Sequence, residues 1–158
     1  MNDSVAAFND NLSKYYTENY STYSEMADNL DISLGTLKCW MSGQRIPKLS
    51  TLKKLADRMG CYTYNLIKPL GNTENVGIVN NDVHKVFSER LRIVFLERKI
   101  ITNSKKFYIV NEAISPDTLM SYLRKKDYRL PTLRMLDRIS DALNVKSYEL
   151  LKEDTLND

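Results

Sequence analysis

The side chains best suited to binding chemistry are hydroxyls that occur twice in the same pattern. Ser33 is followed three positions later by Thr36, and Ser115 is followed three positions later by Thr118. A serine at such a place caps the amino terminus of a helix, where unpaired backbone N–H groups can bind an anion such as a phosphate. The pattern therefore predicts two helices that each present an anion-binding amino terminus.

Cationic side chains follow both predicted helices. Arg45 and Arg129 each stand two positions before a proline, Pro47 and Pro131. We expect the two arginines to contact phosphate because they recur, although packing beside the prolines would explain them equally well. The other phosphate candidates are polar or cationic residues of the same two regions: Thr36, Lys38, Gln44 and Lys48 in the first, and Thr118, Arg124, Lys125 and Lys126 in the second.

The residues that most enzyme chemistry needs are missing from the sequence. His84 is the only histidine, and Cys39 and Cys61 are the only cysteines. The sequence therefore has too few of these residues for a histidine-based metal site or for a Ser–His or Cys–His nucleophile pair. Neither a Walker-type glycine loop nor Gly-x-Gly-x-x-Gly occurs. We expect no enzyme, no cofactor, no metal and no small-molecule substrate.

The elements that position these residues come from one segment that occurs twice. Residues 45–68 and 129–152 align without a gap, 84 residues apart, and keep the same prolines, leucines and tyrosines. Upstream, Ser33 aligns with Ser115, and Phe8 aligns with Phe87. A repeat of this size is a duplicated folding unit. Two similar units on one chain imitate a dimer.

Apolar spacing and capping residues predict five helices in each copy. In the first copy, Thr22 with Glu25 opens the second helix, Ser33 caps the third, and Ser50 opens the fourth. Gly43 and Gly60 end the third and fourth helices. The predicted helices cover residues 3–18, 22–29, 34–42, 50–59 and 64–67, and then 83–98, 105–112, 116–125, 132–142 and 147–152.

The fold class expected from these helices is all-α, with two tandem domains arranged as an internal pseudo-dimer. The first domain covers residues 1–68, a linker follows at 69–82, the second domain covers 83–152, and an acidic tail closes the chain at 153–158. Trp40 and Tyr122 align with each other and are expected in the core, whereas Tyr64 and Tyr148 are expected in the core or between the domains.

Length, charge and apolar content bound the class of protein. The chain has 158 residues and a net charge of +3, so charge alone is weak support for a nucleic-acid partner. No apolar run approaches the roughly 20 residues of a membrane span, and no secretory signal is visible. Both cysteines are expected to be reduced thiols. We therefore expect a cytoplasmic protein without a membrane partner.

With these elements placed, the sequence resembles the Cro/CI (xenobiotic-response-element) helix-turn-helix family of phage and plasmid regulators. The second copy has Ile109 where the family has a small alanine, and it lacks the glycine after the third helix. Its stretch 114–131 also resembles the helix-turn-helix of MerR-type regulators and excisionases. The first copy carries the resemblance in Glu25-Met26-Ala27, Ile32-Ser33-x-x-Thr36-Leu37-x-x-Trp40, Gly43-Gln44-Arg45-Ile46-Pro47 and Leu52-x-x-Leu55-Ala56.

The resemblance implies that the third helix of each copy lies in the DNA major groove with its first turn at the base edges. Leu34 could contact a thymine methyl, and Asp117 could accept from a cytosine amine but would repel phosphate. The family usually has Gln, Arg or Asn as readers, so binding here is expected to rely on backbone contacts and DNA shape. The implied base-facing positions are Leu34, Gly35 and Cys39 after the cap Ser33, and Pro116, Asp117 and Ser121 after the cap Ser115.

The function implied is a double-stranded DNA-binding transcriptional regulator, with repression as the expected activity. An internal pseudo-dimer could act as a monomer on an imperfect inverted repeat. Two alternatives stay open. One is an accessory DNA-binding protein of a mobile element, acting at an origin of transfer or in excision. The other is a protein-interaction module derived from a helix-turn-helix, which the acidic Asp117 and the pair Leu34 and Gly35 would favour.

Overall fold

The computed structural model describes residues 1–71, 82–100, 114–124 and 129–152. Within these ranges the chain forms seven α-helices and two 3₁₀ helices and no strand, which confirms the all-α class. The first half contains α1 (Ser4–Asn19), α2 (Tyr23–Asn29), α3 (Leu34–Met41), α4 (Leu49–Met59) and the 3₁₀ helix η1 (Thr63–Leu66). The second half contains α5 (Val83–Glu97), α6 (Pro116–Leu123), α7 (Leu133–Leu143) and the 3₁₀ helix η2 (Ser147–Leu151).

Three sequence predictions fall outside the described residues. These are the helix expected at 105–112, most of the linker (72–81) and the acidic tail at 153–158. The other predicted helices are all present, and their bounds agree within about two residues, the usual uncertainty of helix ends. The short fifth helix of each copy is a 3₁₀ helix.

The predicted start of α2 and the predicted stops of α3 and α4 are confirmed in their chemistry. The Thr22 hydroxyl accepts from the Glu25 N–H at 3.2 Å, and the Glu25 carboxylate accepts from the Ser21 N–H at 3.2 Å. Gly43 and Gly60 follow α3 and α4 with φ of 75° and 69°. These left-handed conformations suit glycine and stop a helix.

The predicted start of α4 is wrong by one residue. The helix begins at Leu49 and not at Ser50, with Lys48 as an N-cap that makes no side-chain capping bond. Leu49 is 1% exposed, so its burial in the core draws it into the first turn. In the second half, Thr132 stands at the matching position, and its hydroxyl accepts from the Met135 N–H at 3.2 Å.

An aromatic pair joins α1 to α3 in the first half, and another joins α5 to α6 in the second half. Phe8 and Trp40 meet edge to face with ring centroids 6.1 Å apart, and Phe87 and Tyr122 do so at 5.7 Å. All four rings are buried, so the prediction that Trp40 and Tyr122 lie in the core is confirmed. The buried apolar residues of both halves form one continuous cluster.

The two halves contact each other through matching elements. Helix α1 packs against α7, α5 packs against α4, and η1 packs against η2. The Lys68 ammonium lies 5.4 Å from the ring centroid of Tyr148, and the Lys152 ammonium lies 5.8 Å from that of Tyr64. Each lysine of one copy therefore covers the corresponding tyrosine of the other. Tyr64 and Tyr148, which were predicted in the core or between the domains, thus lie partly buried at the contact between the two halves.

In each half, a side chain of the first helix donates to a carbonyl of the 3₁₀ helix. The donor is an amide in the first half and a guanidinium in the second. The Asn11 amide donates to the Asn65 carbonyl at 3.0 Å, and the Arg90 Nε donates to the matching Glu149 carbonyl at 3.3 Å. The Asn11 side-chain oxygen also accepts from the Gly71 N–H at 3.1 Å. A Cβ on Gly71 would lie 1.9 Å from the Asn65 oxygen, so only glycine fits at the exit from the first half.

The buried hydroxyl of Ser140 predicts a stabilising substitution. Ser140 is fully buried in α7, and among the described residues its Oγ has no hydrogen-bond partner. The matching residue of α4 is Ala56, which is also buried. We expect Ser140→Ala to raise the free energy of unfolding by about 1 kcal/mol, because it removes an unpaired polar group from the core.

Urea denaturation followed by circular dichroism measures this change. Ala56→Ser is the matched control, and it should lower the free energy of unfolding by about 1–2 kcal/mol. A loss of stability in Ser140→Ala would contradict the prediction and indicate that the hydroxyl has a partner in solution.

Candidate nucleic-acid interface

The amino termini of α3 and α6 have the same hydroxyl cap. The Ser33 Oγ accepts from the Thr36 N–H at 3.1 Å and donates to the Thr36 Oγ1 at 2.8 Å. The corresponding distances from Ser115 to Thr118 are 3.3 Å and 2.7 Å. Both serines are exposed, so each capped helix start faces solvent. We refer to α3 and α6, the two helices expected from the sequence to enter the DNA major groove, as the reading helices.

The two reading helices differ in how well their first turns can bind an anion. The backbone N–H groups of the first turn have no intrahelical acceptor, and in α3 Leu34 and Gly35 supply two of them beyond the capped Thr36. In α6 the first position is Pro116, which has no N–H, and the second is Asp117, which adds a negative charge. The start of α3 is therefore better suited than that of α6 to bind an anion.

Gly35 is the most open position on either reading helix. A Cβ built there meets no atom within 4 Å, and its backbone φ is not in the left-handed range. Neither packing nor backbone conformation requires glycine at this position. A helical glycine without such a requirement costs stability but permits close approach of another molecule to the backbone.

The outward-facing residues one turn along the reading helices are Lys38 and Met120. They occupy matching positions and both are exposed. Cys39, one residue further, is half-buried, and its Sγ lies 3.7 Å from the Gln44 Oε1. Leu34 is also half-buried and packs against the core, whereas Pro116 is exposed.

Ser121 was expected to face outward from α6 toward DNA, and this prediction is wrong. It is 8% exposed, and its hydroxyl donates to the Thr118 carbonyl at 2.6 Å inside α6. Successive residues of an α-helix are about 100° apart around its axis, so the position after the exposed Met120 turns toward the core. The residue that faces outward is thus one position earlier than predicted.

The cationic candidates are exposed wherever the structure describes them. This holds for Arg45 and Lys48 after α3, and for Arg124 and Arg129 after α6. The Arg45 N–H donates to the Cys39 carbonyl at 3.2 Å and closes the turn after α3. Gln44 beside it is exposed, and the remaining candidates, Lys125 and Lys126, lie outside the described residues.

Arg129 lies close to the core residue of its reading helix. Burial raises the pKa of the Tyr122 phenol, and the Arg129 guanidinium opposes part of that rise. The charge of Arg129 therefore acts at the base of α6 as well as toward solvent.

Two residues of α5 that the sequence analysis missed hold the end of α6. The Arg92 Nε donates to the Leu123 carbonyl at 3.1 Å, and the Arg92 Nη2 donates to the Ser88 Oγ at 2.8 Å. The Ser88 hydroxyl donates to the Arg124 carbonyl at 3.1 Å. These bonds satisfy carbonyls at the end of a helix that lacks the stop glycine, Gly43, of the first half. The missing glycine was the one signal in the sequence that pointed to such a cap.

Both cysteines are free thiols with different surroundings. Burial raises the pKa of the Cys61 thiol to about 12, which makes it a poor nucleophile. Among the described residues, no group of three or more His, Cys, Asp or Glu could hold a metal ion. None of the described helices has the length and apolar content of a membrane-spanning segment.

Comparisons with protein-family models, with curated proteins and with solved structures give no match for this chain. The helix-turn-helix resemblance therefore rests on the motif residues alone and stays a prediction. What the geometry provides is two capped and exposed helix starts, each followed by exposed cations.

Removing the arginine that holds α6 should loosen that reading helix. We expect Arg92→Ala to lower the free energy of unfolding by about 1–2 kcal/mol, because it removes the donor to the Leu123 carbonyl at the end of α6. Hydrogen exchange of the amides in α6 should become faster than in the parent protein, while exchange in α3 stays the same.

Ser13 is the matched control because it stands on α1 at the position of Arg92 and is exposed. Ser13→Ala should change stability by less than about 0.5 kcal/mol. Unchanged exchange in α6 after Arg92→Ala would show that the arginine does not cap the helix.

Filling the open position on α3 should stabilise the protein. We expect Gly35→Ala to raise the free energy of unfolding by about 0.5–1 kcal/mol, because alanine favours the helix and meets no atom there. Gly43→Ala is the control, and it should lower stability because its φ of 75° disfavours a side chain. Thermal unfolding of the three proteins measures both changes, and destabilisation by Gly35→Ala would contradict the prediction.

Proposed function

We propose that this chain binds double-stranded DNA through two helix-turn-helix units and acts as a transcriptional repressor in the cytoplasm. The observation that carries the proposal is the exposed, hydroxyl-capped helix start that occurs twice, at Ser33 with Thr36 and at Ser115 with Thr118. In the first half, α2 and α3 pack together as the two helices of such a motif. A helix amino terminus of this kind suits phosphate and the base edges of the major groove.

The chain would engage DNA as an internal pseudo-dimer. The reciprocal contacts of Lys68 with Tyr148 and of Lys152 with Tyr64 support a two-fold relation, since residue pairs exchange roles across such an interface. A two-fold relation would place the reading helices about 34 Å apart, one turn of DNA. Their unequal first turns favour an imperfect inverted repeat over a perfect one.

Affinity would come mainly from the DNA backbone. The outward positions of the reading helices include Gly35, Lys38, Asp117 and Met120, a set with few bidentate readers of bases. Cations such as Arg45 neighbour the reading helices and are exposed. About six phosphate contacts would give a log–log salt slope near −5.

A second candidate function is an accessory DNA-binding role in a mobile element, at an origin of transfer or during excision. The same scarcity of base readers favours it, because proteins that mark or bend DNA rely on backbone contacts and deformability. A protein-interaction module is the candidate from another class, and the exposed carboxylate of Asp117 at a helix start favours it.

Fluorescence anisotropy with labelled duplexes tests the proposal. Fragments from upstream of the gene and from other intergenic regions are compared with random duplex at low and near-physiological salt. A fragment that stays bound at near-physiological salt, while random duplex is released, is the expected result. Its map position separates a repressor from an origin marker. Absence of binding at low salt would overturn the DNA proposal and leave the interaction module.

The same titrations test the two matched arginines. We expect Arg45→Ala and Arg129→Ala each to reduce the magnitude of the salt slope by about one, because each removes one phosphate contact. Lys14→Ala is the control, since Lys14 lies on α1 in an exposed ion pair with Glu18. Equal slopes for all four proteins would show that the arginines serve packing and not phosphate binding.

A further inference from the structure

A buried carboxylate joins the two halves. Asp137 of α7 is 9% exposed and accepts three hydrogen bonds. Two come from Ser4 of the first half, from its N–H at 2.9 Å and its hydroxyl at 2.5 Å. The third comes from the Ser147 hydroxyl of the second half at 2.6 Å. Both serines are buried as well.

Asn2 extends this network along the same surface. Its backbone N–H and its side-chain amide both donate to the Asp141 Oδ1 at 2.8 Å. The amide also donates to the Val145 carbonyl at 2.9 Å, and the side-chain oxygen accepts from the Ser147 N–H at 2.9 Å. Six direct hydrogen bonds therefore fix residues 2–4 to α7, to the turn after it and to the start of η2.

The matching contact between α5 and α4 has different chemistry. The position of Asp137 is occupied by Lys53, which forms an ion pair with Asp57 within α4. The position of Ser4 is occupied by Val83, an apolar residue that is buried. Asp137 receives donors from both halves, but the matching position of α4 carries no carboxylate.

Directional bonds and apolar packing restrain an interface differently. An apolar contact tolerates small rotations, whereas a buried carboxylate with three donors loses bonds that water cannot replace. The relative placement of α3 and α6 depends on how the halves meet, since each reading helix packs on the first helix of its own half. The network at Asp137 lies in the contact between the halves on which that placement depends.

We propose that Asp137 is a positioning residue that holds the two reading helices in one relative placement and so restricts the protein to one spacing between DNA half-sites. The first part is a property of the free protein. The second part rests on the proposed function. The two parts are tested separately so that either can fail alone.

The placement is tested without DNA. Lys38 and Met120 occupy matching exposed positions on the reading helices, and Lys38→Cys with Met120→Cys in a Cys39→Ser background accepts two spin labels. The buried Cys61, with its raised pKa, is a poor target for labelling. Pulsed electron paramagnetic resonance then measures the distribution of distances between the labels, and the positioning role predicts one narrow distribution.

The variant that tests the network removes donors from the first half only. Asn2→Ala with Ser4→Ala should broaden or shift the distance distribution, because residues 2–4 then lose four of their six hydrogen bonds to the second half. Ser147→Ala is the matched control, since it removes a hydroxyl from the same carboxylate oxygen without affecting α1, and it should keep the parent distribution. Circular dichroism confirms that both variants are folded. Asp137→Ala is the harsher second test, because it leaves Ser4 and Ser147 unpaired.

Two distance results would overturn the positioning role. One is a broad distribution in the parent protein. The other is the same distribution in the parent, in the Asn2→Ala Ser4→Ala variant and in Ser147→Ala. Neither result depends on whether the chain binds DNA.

The spacing restriction is tested with duplexes that the parent protein selects from a random-sequence pool. Insertion of about five base pairs at the centre moves one half-site to the opposite face of the helix, and the parent's affinity should fall at least about tenfold. The Asn2→Ala Ser4→Ala variant should lose less than about threefold under the same change. An equal loss in both proteins would overturn the restriction. Failure to select any duplex would overturn the proposed function, and the distance measurement would still decide the placement.

Discussion

The shortage of core in each half is the constraint on which the rest of the structure depends. A domain of about 70 residues buries only about 60% of its surface, and here the buried apolar residues of both halves merge into one cluster. Helix α1 packs on α7 and α5 packs on α4, so each half completes the core of the other. The reading helices are therefore positioned by the contact between the halves.

Within this shared core, the two copies have the same backbone arrangement but use different side chains to support it. Asn11 and Arg90 bind corresponding carbonyls with different groups. The glycine that ends α3 has no counterpart in the described part of the chain after α6, where Arg92 supplies donors instead. At the two 3₁₀ helices the backbone carbonyl that needs a partner stays the same, because an unpaired buried carbonyl is costly. The side chain that provides the partner is free to change.

The features that the sequence predicted correctly are helix starts and stops, which depend on residues within one helical turn of each other. Caps such as Thr22 and Ser33 and stops such as Gly60 act on residues three or four positions away. Their patterns can therefore be recognised in the sequence before the fold is known. Ser4 and Asp137 are 133 positions apart in the sequence, so no local pattern predicts their contact. The start of α4 and the burial of Ser121 were missed for a related reason. Both depend on which side of the helix the assembled core covers.

The combination of a matched scaffold with unequal reading helices has a consequence for the proposed function. A symmetric dimer binds a palindrome identically in two orientations. In this chain α3 offers the N–H groups of Leu34 and Gly35 to an anion, whereas α6 begins with Pro116 and Asp117. The two orientations on an inverted repeat would therefore differ in energy, and the half-site with the closer phosphate approach would select α3. Duplication followed by divergence would give this protein a direction on its site, which a homodimer of either half would lack.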